Sequence, residues 1–288
     1  MDTFTYNSRP LHGLFISSVN NSFMRCDLHI HSIASGMCDT PVFNRICRES
    51  YNQPEEVYSR VKQLGMSMVT LTDHDSIDSG EVLRKYPDFF LSEEATVQMP
   101  GGTQMHLGVY GITERDHVEI QRRRKDFISL MMYLTERKLF FSANHVFSGL
   151  TGRRLDEDFC WFASYVPAFE TRNGEMWPKA NENAARLASQ LGKIAIGGSD
   201  SHTMAGVGRT YTEVPGARTV DEFLAGLRAG AAHPGALRAL RRRARVRGAE
   251  GAACRPAPLH GEAADRGRGG HRARGRSRAR GHEVRRDW

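Results

Sequence analysis

Over the first 230 or so residues the apolar positions change period in a regular order. Met24–Ser32 reads as a strand: Leu28 and Ile30 face one side and His29 and His31 the other, because successive side chains on a strand point to opposite faces. A long polar stretch comes next over 33–53, a length that is uncommon without an element of its own and often functional. Pro54 then opens a helix, with Glu55 and Glu56 at the positive end of its dipole. Val57, Val61 and Leu64 share one face, and Gly65 is its stop. Met66–Thr72 is the next strand, and a short helix spans Ile77–Lys85. Phe89–Gln98 and Gln104–Gly111 are strands joined by a turn at Pro100-Gly101-Gly102. Thr113–Lys138 is the longest predicted helix. It opens with the capping pattern Thr113-x-x-Asp116 and carries a stripe of Ile120, Phe127, Met131 and Leu134. The basic run Gln121–Lys125 inside it reads as a solvated face. A strand over Leu139–Val146, a helix over Leu155–Tyr165, a strand over Ala168–Asn173, a helix over Trp177–Leu191, a strand over Lys193–Asp200 and a helix over Thr219–Ala229 complete the series.

Strands alternating with helices across short connections predict an α/β fold, a mainly parallel sheet covered by helices, open or closed into a barrel. Beyond about Ala232 the alternation stops, and the chain becomes rich in Arg, Ala and Gly, with no Phe, Tyr, Ile, Met, Lys, Asn, Gln or Thr. The organisation read from this is a loose lead-in at 1–21, one domain at 22–232, and a tail at 233–288. That tail has too little apolar surface to offset chain entropy, and disorder is expected. The abrupt change also fits out-of-frame reading of GC-rich DNA, which resequencing would test.

Charge obeys the same boundary. The formal charge is +7, but residues 235–288 hold sixteen Arg, no Lys and five acidic residues, a net of +11 that leaves residues 1–234 at −4. The basic character therefore belongs to the tail, where nonspecific attraction to nucleic acid is expected at low salt. It says nothing about the domain. Five cysteines, odd in number and without a C-x-x-C pair, argue against a disulfide framework and a zinc ribbon. No apolar run approaches about 18 residues, and the first 25 residues lack a signal-type apolar core. A cytoplasmic protein without membrane contact is the expectation.

Histidines and acids fall repeatedly at strand ends. His29 and His31 end the first strand, Asp73 and His74 the second, and Glu93 and Glu94 belong to the third. His106 lies early in the next apolar segment, His145 ends the one after, and Asp200 and His202 end the last long one. In parallel α/β barrels functional groups gather at that rim. A single histidine in such a place is ordinarily a satisfied polar residue. Six such places together predict a polynuclear metal site.

These segments also carry a resemblance. DLHIHS at 27–32, TDHDS at 72–76, EEAT at 93–96, MHLGVYG at 105–111, ANHVF at 143–147 and GGSDSHT at 197–203 resemble, in order, the successive motifs of the PHP (polymerase and histidinol phosphatase) superfamily. The match is closest to its stand-alone metal-dependent phosphoesterases and covers residues 24 to about 230. It implies a distorted seven-stranded (β/α) barrel with a two- or three-metal cleft. Carried over residue by residue, it makes His29, His31, Glu94 and Asp200 ligands of one metal. Glu94 bridges to a second metal held by His106 and His145, and His74 and His202 belong to a third position. Glu94 is preferred to Glu93 because the family's acid precedes an apolar residue and then Ser or Thr, as in Glu94-Ala95-Thr96. Val146 follows His145 where the family often has proline. A further departure concerns the acid or histidine that the family usually places shortly after H-x-H. Gly36 and Met37 stand there instead, with Cys38 and Asp39 nearby. A firmly bound pair with a weak or absent third metal is therefore expected.

Such a pair suits hydrolysis of phosphate esters by a metal-activated hydroxide. Asp200, His202 and His74 are the catalytic candidates, the histidines as proton donors to the leaving oxygen where they are not metal-bound. Arg209 and Arg172 are candidate phosphate clamps. Mixed imidazole and carboxylate donors favour Mn²⁺, Zn²⁺ or Fe²⁺ over Mg²⁺. The substrate expected is a small phosphorylated molecule, a nucleotide or an oligonucleotide end. Two other readings stay open. One is an amidohydrolase, which also opens with H-x-H but commonly bridges its metals with lysine. The other is a non-catalytic barrel that binds nucleic acid.

Overall fold

A computed structural model of the protein describes residues 23–37, 46–149, 151 and 153–237. The lead-in at 1–21, Cys38, Asp39 and the chain beyond 237, on which several expectations fall, lie outside the described residues. Among the described residues there are eight strands and seven α-helices. β2 (Ser92–Gln98), β3 (Gln104–Tyr110), β4 (Phe140–Asn144), β5 (Ala168–Asn173) and β6 (Ile194–Gly198) form a five-stranded sheet in that order. β1 (Phe23–Cys26), β7 (Thr210–Pro215) and β8 (His233–Ala236) form a second sheet of three.

The expectation of a mainly parallel sheet is corrected. β4, β5 and β6 run parallel, whereas β2/β3 and β3/β4 are antiparallel, as are both pairs of the smaller sheet. The reason at β2/β3 is local. Pro100-Gly101-Gly102 reverses the chain in a tight turn, with Met99 donating its N–H to Thr103 at 2.8 Å, and a connection that short joins only antiparallel neighbours. The strand expected at 24–32 is shorter than predicted, the one expected at 66–72 is reduced to an isolated bridge at Val69, and β7 and β8 were not expected. After Cys26 the chain runs through 27–32 with only isolated bridges, Ile30 to Ser201 on one side, while Thr72 N–H donates to Ile30 O at 2.9 Å on the other. Val69 and His74 bridge in parallel to Phe89 and Glu94.

Helix ends obey their capping residues. α1 (Pro54–Gln63) has Pro at its first position, Glu55 and Glu56 in its first turn, and Gly65 just beyond its end at φ 75°. The single long helix expected over 113–138 is two, α3 (Glu114–Arg123) and α4 (Phe127–Glu136). Asp126 restarts the helix by accepting the Ser129 N–H at 3.1 Å, and Arg124 O is drawn off to the Gln98 N–H at 2.9 Å. The basic run between them is spent on ion pairs: Arg122 and Arg123 with Glu119, and Arg124 with Asp75. The other helices are α2 (Asp78–Leu83), α5 (Asp156–Tyr165), α6 (Pro178–Gln190) and α7 (Val220–Arg228).

Three apolar clusters hold these elements. The largest buries Phe127, Leu130, Phe162 and Phe169 with Leu107 and Val109 of β3. A second packs α7 (Phe223, Leu227) on Leu28, Tyr110 and Phe140, and a third packs α1 (Val57, Val61) and Leu83 on Ile30 and Leu71. Burying each such side chain contributes about 1.5–3 kcal/mol. Leu28 and Ile30 are therefore locked into core on one side of the segment, and His29 and His31 are held rigidly on the other. The domain boundary expected at 232 also moves. His233–Ala236 pairs with β7, and Leu237 N–H donates to Arg209 O at 2.9 Å.

Candidate metal centre

His29 and His31 leave their segment on the same side, their Nε2 atoms 3.1 Å apart and both rings wholly buried. Ser32 shapes the turn after them. Its hydroxyl accepts the Ala34 N–H and starts a single 3₁₀ turn (Ile33–Ser35), while its own O–H and N–H donate to Asp73. Ser35 and Ser79 donate to the same carboxylate. Asp73, singled out with the strand ends, is thus a buried anchor that ties the histidine segment to the stretch before His74. Asp27 does the same on the other side, accepting N–H groups from His29 (3.2 Å), Ser199 (2.8 Å) and Gly208 (2.8 Å). Burial raises Asp27 to about 6 despite those bonds.

Glu94 is the centre of the cluster. Hydrogen bonds from Glu94 N to Asp73 O (3.1 Å) and from Asp75 N to Glu94 O (2.9 Å) set it beside His74. The register Thr96↔His106 and His106↔Asn144 puts His106 and Asn144 on the same side. The two oxygens of Glu94 divide their partners. Oε2 lies 3.2 Å from His29 Nε2, 3.3 Å from His31 Nε2 and 3.4 Å from His74 Nδ1. Oε1 lies 3.2 Å from His145 Nε2 and 3.7 Å from His106 Nδ1, and accepts from Asn144 Nδ2 at 2.9 Å. Glu93 points to the other face, where His117 and Gln121 of α3 meet it at 2.9 and 2.8 Å.

Asp200 closes the group from the loop after β6, its Oδ1 3.4 Å from His29 Nε2 and 3.3 Å from His31 Nε2. Asp200 and His145 both sit at positive φ, 54° and 28°, which is unusual for residues with side chains and is strain of the kind concentrated at functional sites. His202 is the outermost member, its side chain 32% exposed, stacked on His31 with ring centroids 4.4 Å apart. All eight sequence-derived candidates (His29, His31, His74, Glu94, His106, His145, Asp200 and His202) fall in this one cluster. Their donor atoms make overlapping trios: His29/His31/Glu94, His29/His145/Asp200, His74/Glu94/His106 and His31/His74/His202. Arg172 and Arg209 are exposed, and among the described residues no site hydrogen bond or ion pair reaches their side chains.

Three contributors were missed in the sequence. Glu170 on β5 faces His29 Nδ1 at 2.9 Å through Oε1, while its Oε2 accepts the His145 N–H and Asn173 Nδ2. A carboxylate on the far ring nitrogen fixes the tautomer that leaves Nε2 free as a donor to a metal. Asn173 also donates to Asp200 Oδ2 at 2.9 Å. A bulge between Glu170 and Arg172 breaks strict alternation and turns both Glu170 and Asn173 toward the site. The third is Glu49, from the polar stretch before α1. Its Oε1 is 3.2 Å from His74 Nε2 and 3.5 Å from His202 Nε2. An isolated acid inside a polar run carries no period, so nothing in the sequence marked it.

Burial opposes charge throughout the cluster. His29, His106 and His74, with a bond from His145, nevertheless hold Glu94 well below the usual carboxylate range. For His29 burial is outweighed by Glu94, Asp200 and Glu170, and its value rises. Burial lowers His106 to about 3, with His74 and His145 opposing charge in the same sense. The residues fit divalent ions. Glu94 Oε2 and the Nδ1 atoms of His74 and His106, which face one another across the cluster, are buried without a hydrogen-bond partner, a state that costs about 1–3 kcal/mol for each group.

A family model described as PHP-associated matches residues 178–232, the stretch from α6 through α7 that carries Asp200 and His202. Similar solved structures include a two-domain protein from Bacteroides vulgatus ATCC 8482 described as containing a predicted PHP-like metal-dependent phosphoesterase. Identity to it is 16% and the TM-score 0.57, covering 75% of this chain and 65% of that one. PsfC from Pseudomonas syringae PB-5123 is 18% identical with a TM-score of 0.52, over 70% of this chain and 88% of PsfC. The lesion-specific endonuclease PfuEndoQ from Pyrococcus furiosus is 14% identical with a TM-score of 0.50, over 72% of this chain and 56% of that one. This chain thus spans less than two thirds of the Bacteroides and Pyrococcus proteins. No curated protein matches it.

Proposed function

We propose that this chain is a PHP-type metal-dependent phosphoesterase that hydrolyses a phosphate ester at the Glu94 cluster. The observation that carries this reading is the division of Glu94. One buried carboxylate directs Oε2 at His29 and His31 and Oε1 at His145 and His106, the arrangement a carboxylate needs to bridge two cations. A carboxylate, Glu94, lies between the two groups of imidazoles, where an amidohydrolase commonly has lysine. That favours the phosphoesterase reading over the amidohydrolase one. The neighbours described as PHP-like phosphoesterase and as endonuclease support it in the same sense. Parallel bridges from Ile30 to Ser201, and from Val69 and His74 to Phe89 and Glu94, support closure of the strands into the seven-stranded barrel that the resemblance implies.

His29, His31, Glu94 and Asp200 would hold one cation, and Glu94, His106 and His145 the other. When bound, such a pair neutralises phosphate charge and lowers the pKa of water toward neutrality. The protein supplies the rest. Glu170 holds the His29 ring, Asn173 holds Asp200, and the buried anchors Asp27 and Asp73 keep the donors in place before substrate arrives. The substrate is a phosphorylated small molecule, a nucleotide or an oligonucleotide end, and the acceptor of the phosphoryl group is water. Imidazole donors favour Mn²⁺, Zn²⁺ or Fe²⁺. Hydrolysis of an aryl phosphate with added Mn²⁺ tests the proposal. Activity is expected to fall by about 100-fold or more in Asp200→Asn and in His31→Ala, by analogy with loss of a group that stabilises the transition state. Equal turnover in either variant would exclude the cluster as the catalyst.

A further inference from the structure

Gly36 and Met37 occupy the positions where the resemblance calls for a ligand to a third metal, and neither can serve. Gly36 has no side chain, and Met37 is 42% exposed. The same loop nevertheless delivers an acid to that place from farther along. Met37 pairs with Arg48 in an antiparallel bridge, and Glu49 N–H donates to Gly36 O at 3.1 Å, so residues 36–37 and 48–49 lie side by side. Ser50 and Asn52, both buried, clamp the returning segment to the metal-site backbone. Ser50 Oγ donates to His31 O at 2.9 Å, and Asn52 Nδ2 to His31 O at 3.0 Å and Ser201 O at 3.2 Å. Glu49 is thereby pinned with Oε1 at 3.2 Å from His74 Nε2 and 3.5 Å from His202 Nε2. These two histidines and His31 already present nitrogen atoms within 4.8 Å of one another.

We propose that Glu49 is the carboxylate ligand of a third divalent cation, bound together with His74 and His202 at the mouth of the cluster. The proposal rests on the phosphoesterase reading and reverses the expectation of a weak or absent third metal. Two neutral imidazoles alone make a poor site for a divalent ion; a carboxylate supplies the charge and a hard oxygen donor. The position is the outermost of the cluster, with His202 half-buried, so it is the one that an incoming phosphate meets first. His74 and His202 then act as ligands, and residues 49–52 are a structural part of the metal centre.

Equilibrium dialysis of the full chain against Mn²⁺, with metal analysis and manganese EPR, tests this without recourse to activity. The wild-type protein is expected to take up three equivalents. Glu49→Gln is expected to keep two with unchanged affinity while the dissociation constant of the third rises at least tenfold. Glu49→Asp keeps the charge at a shorter reach and is expected to retain the third equivalent at reduced affinity, which separates loss of a ligand from loss of the fold. Three equivalents of unchanged affinity in Glu49→Gln, or two in the wild type that the substitution leaves alone, would overturn the role of Glu49 and leave the two-metal reading standing. Uptake of no metal by the wild type would overturn both.

Discussion

At the scale of single residues, the cluster depends on how closely the end of β6 approaches His29. Gly198 is the point of closest approach. A Cβ there would lie 2.3 Å from His29 Cβ and 2.7 Å from His29 N, and neither atom can move without shifting the segment that carries both histidines. Gly198→Ala is therefore expected to destabilise the protein by about 1–3 kcal/mol and to weaken metal uptake, both read from thermal melts with and without Mn²⁺. A normal melt with normal uptake would show that the segment is softer than its packing implies. The eight histidines and acids were legible because their spacing within motifs, such as H-x-H, is a local property. Glu170, Asn173 and Glu49 were not. A bulge turns the first two inward, and the third arrives through hydrogen bonds between residues distant in sequence.

At the scale of elements, capping decides what hydrophobic periodicity alone merges. The stripe from Ile120 to Leu134 continues across the break between α3 and α4, which is why one helix was predicted where two exist. Asp116 joins the two. It caps α3 with Thr113 and accepts from Tyr133 Oη at 2.7 Å and Arg137 Nε at 3.0 Å, at the other end of α4. Burial raises its pKa, but these bonds from Thr113, Tyr133 and Arg137 outweigh it and bring the group from 3.8 down to about 2. A carboxyl depressed in the folded state adds stability above its unfolded value and loses it as pH falls through the folded one. Asp116→Asn is expected to cost about 1–3 kcal/mol near neutrality. The gap to the wild type should close between about pH 4 and pH 2. Urea unfolding across that range measures it, and a gap independent of pH would mean that the charge of Asp116 is not what joins the helices.

At the scale of the whole molecule, β8 carries the described fold past the composition boundary. Pro234 within His233–Ala236 removes a backbone donor, which an edge strand tolerates, and the segment still completes a ladder on β7 from Glu213 to Thr210. A chain ending at Ala232 leaves β7 with a bare edge and is expected to melt lower and to aggregate. One ending at Leu240 is expected to match the full chain in melting temperature, and equal melting of both truncations would remove any role for β8. The amino-acid sequence by itself determined the order and type of most elements, the apolar faces they bury, and which histidines and acids form a recurring set. Each of these is written in periods and spacings a few residues long. Only the tertiary structure decided the strand directions and the arrival of Glu49, Glu170 and Asn173. Those depend on which distant segments exchange hydrogen bonds, and that is settled by packing and closure, for which no local pattern exists.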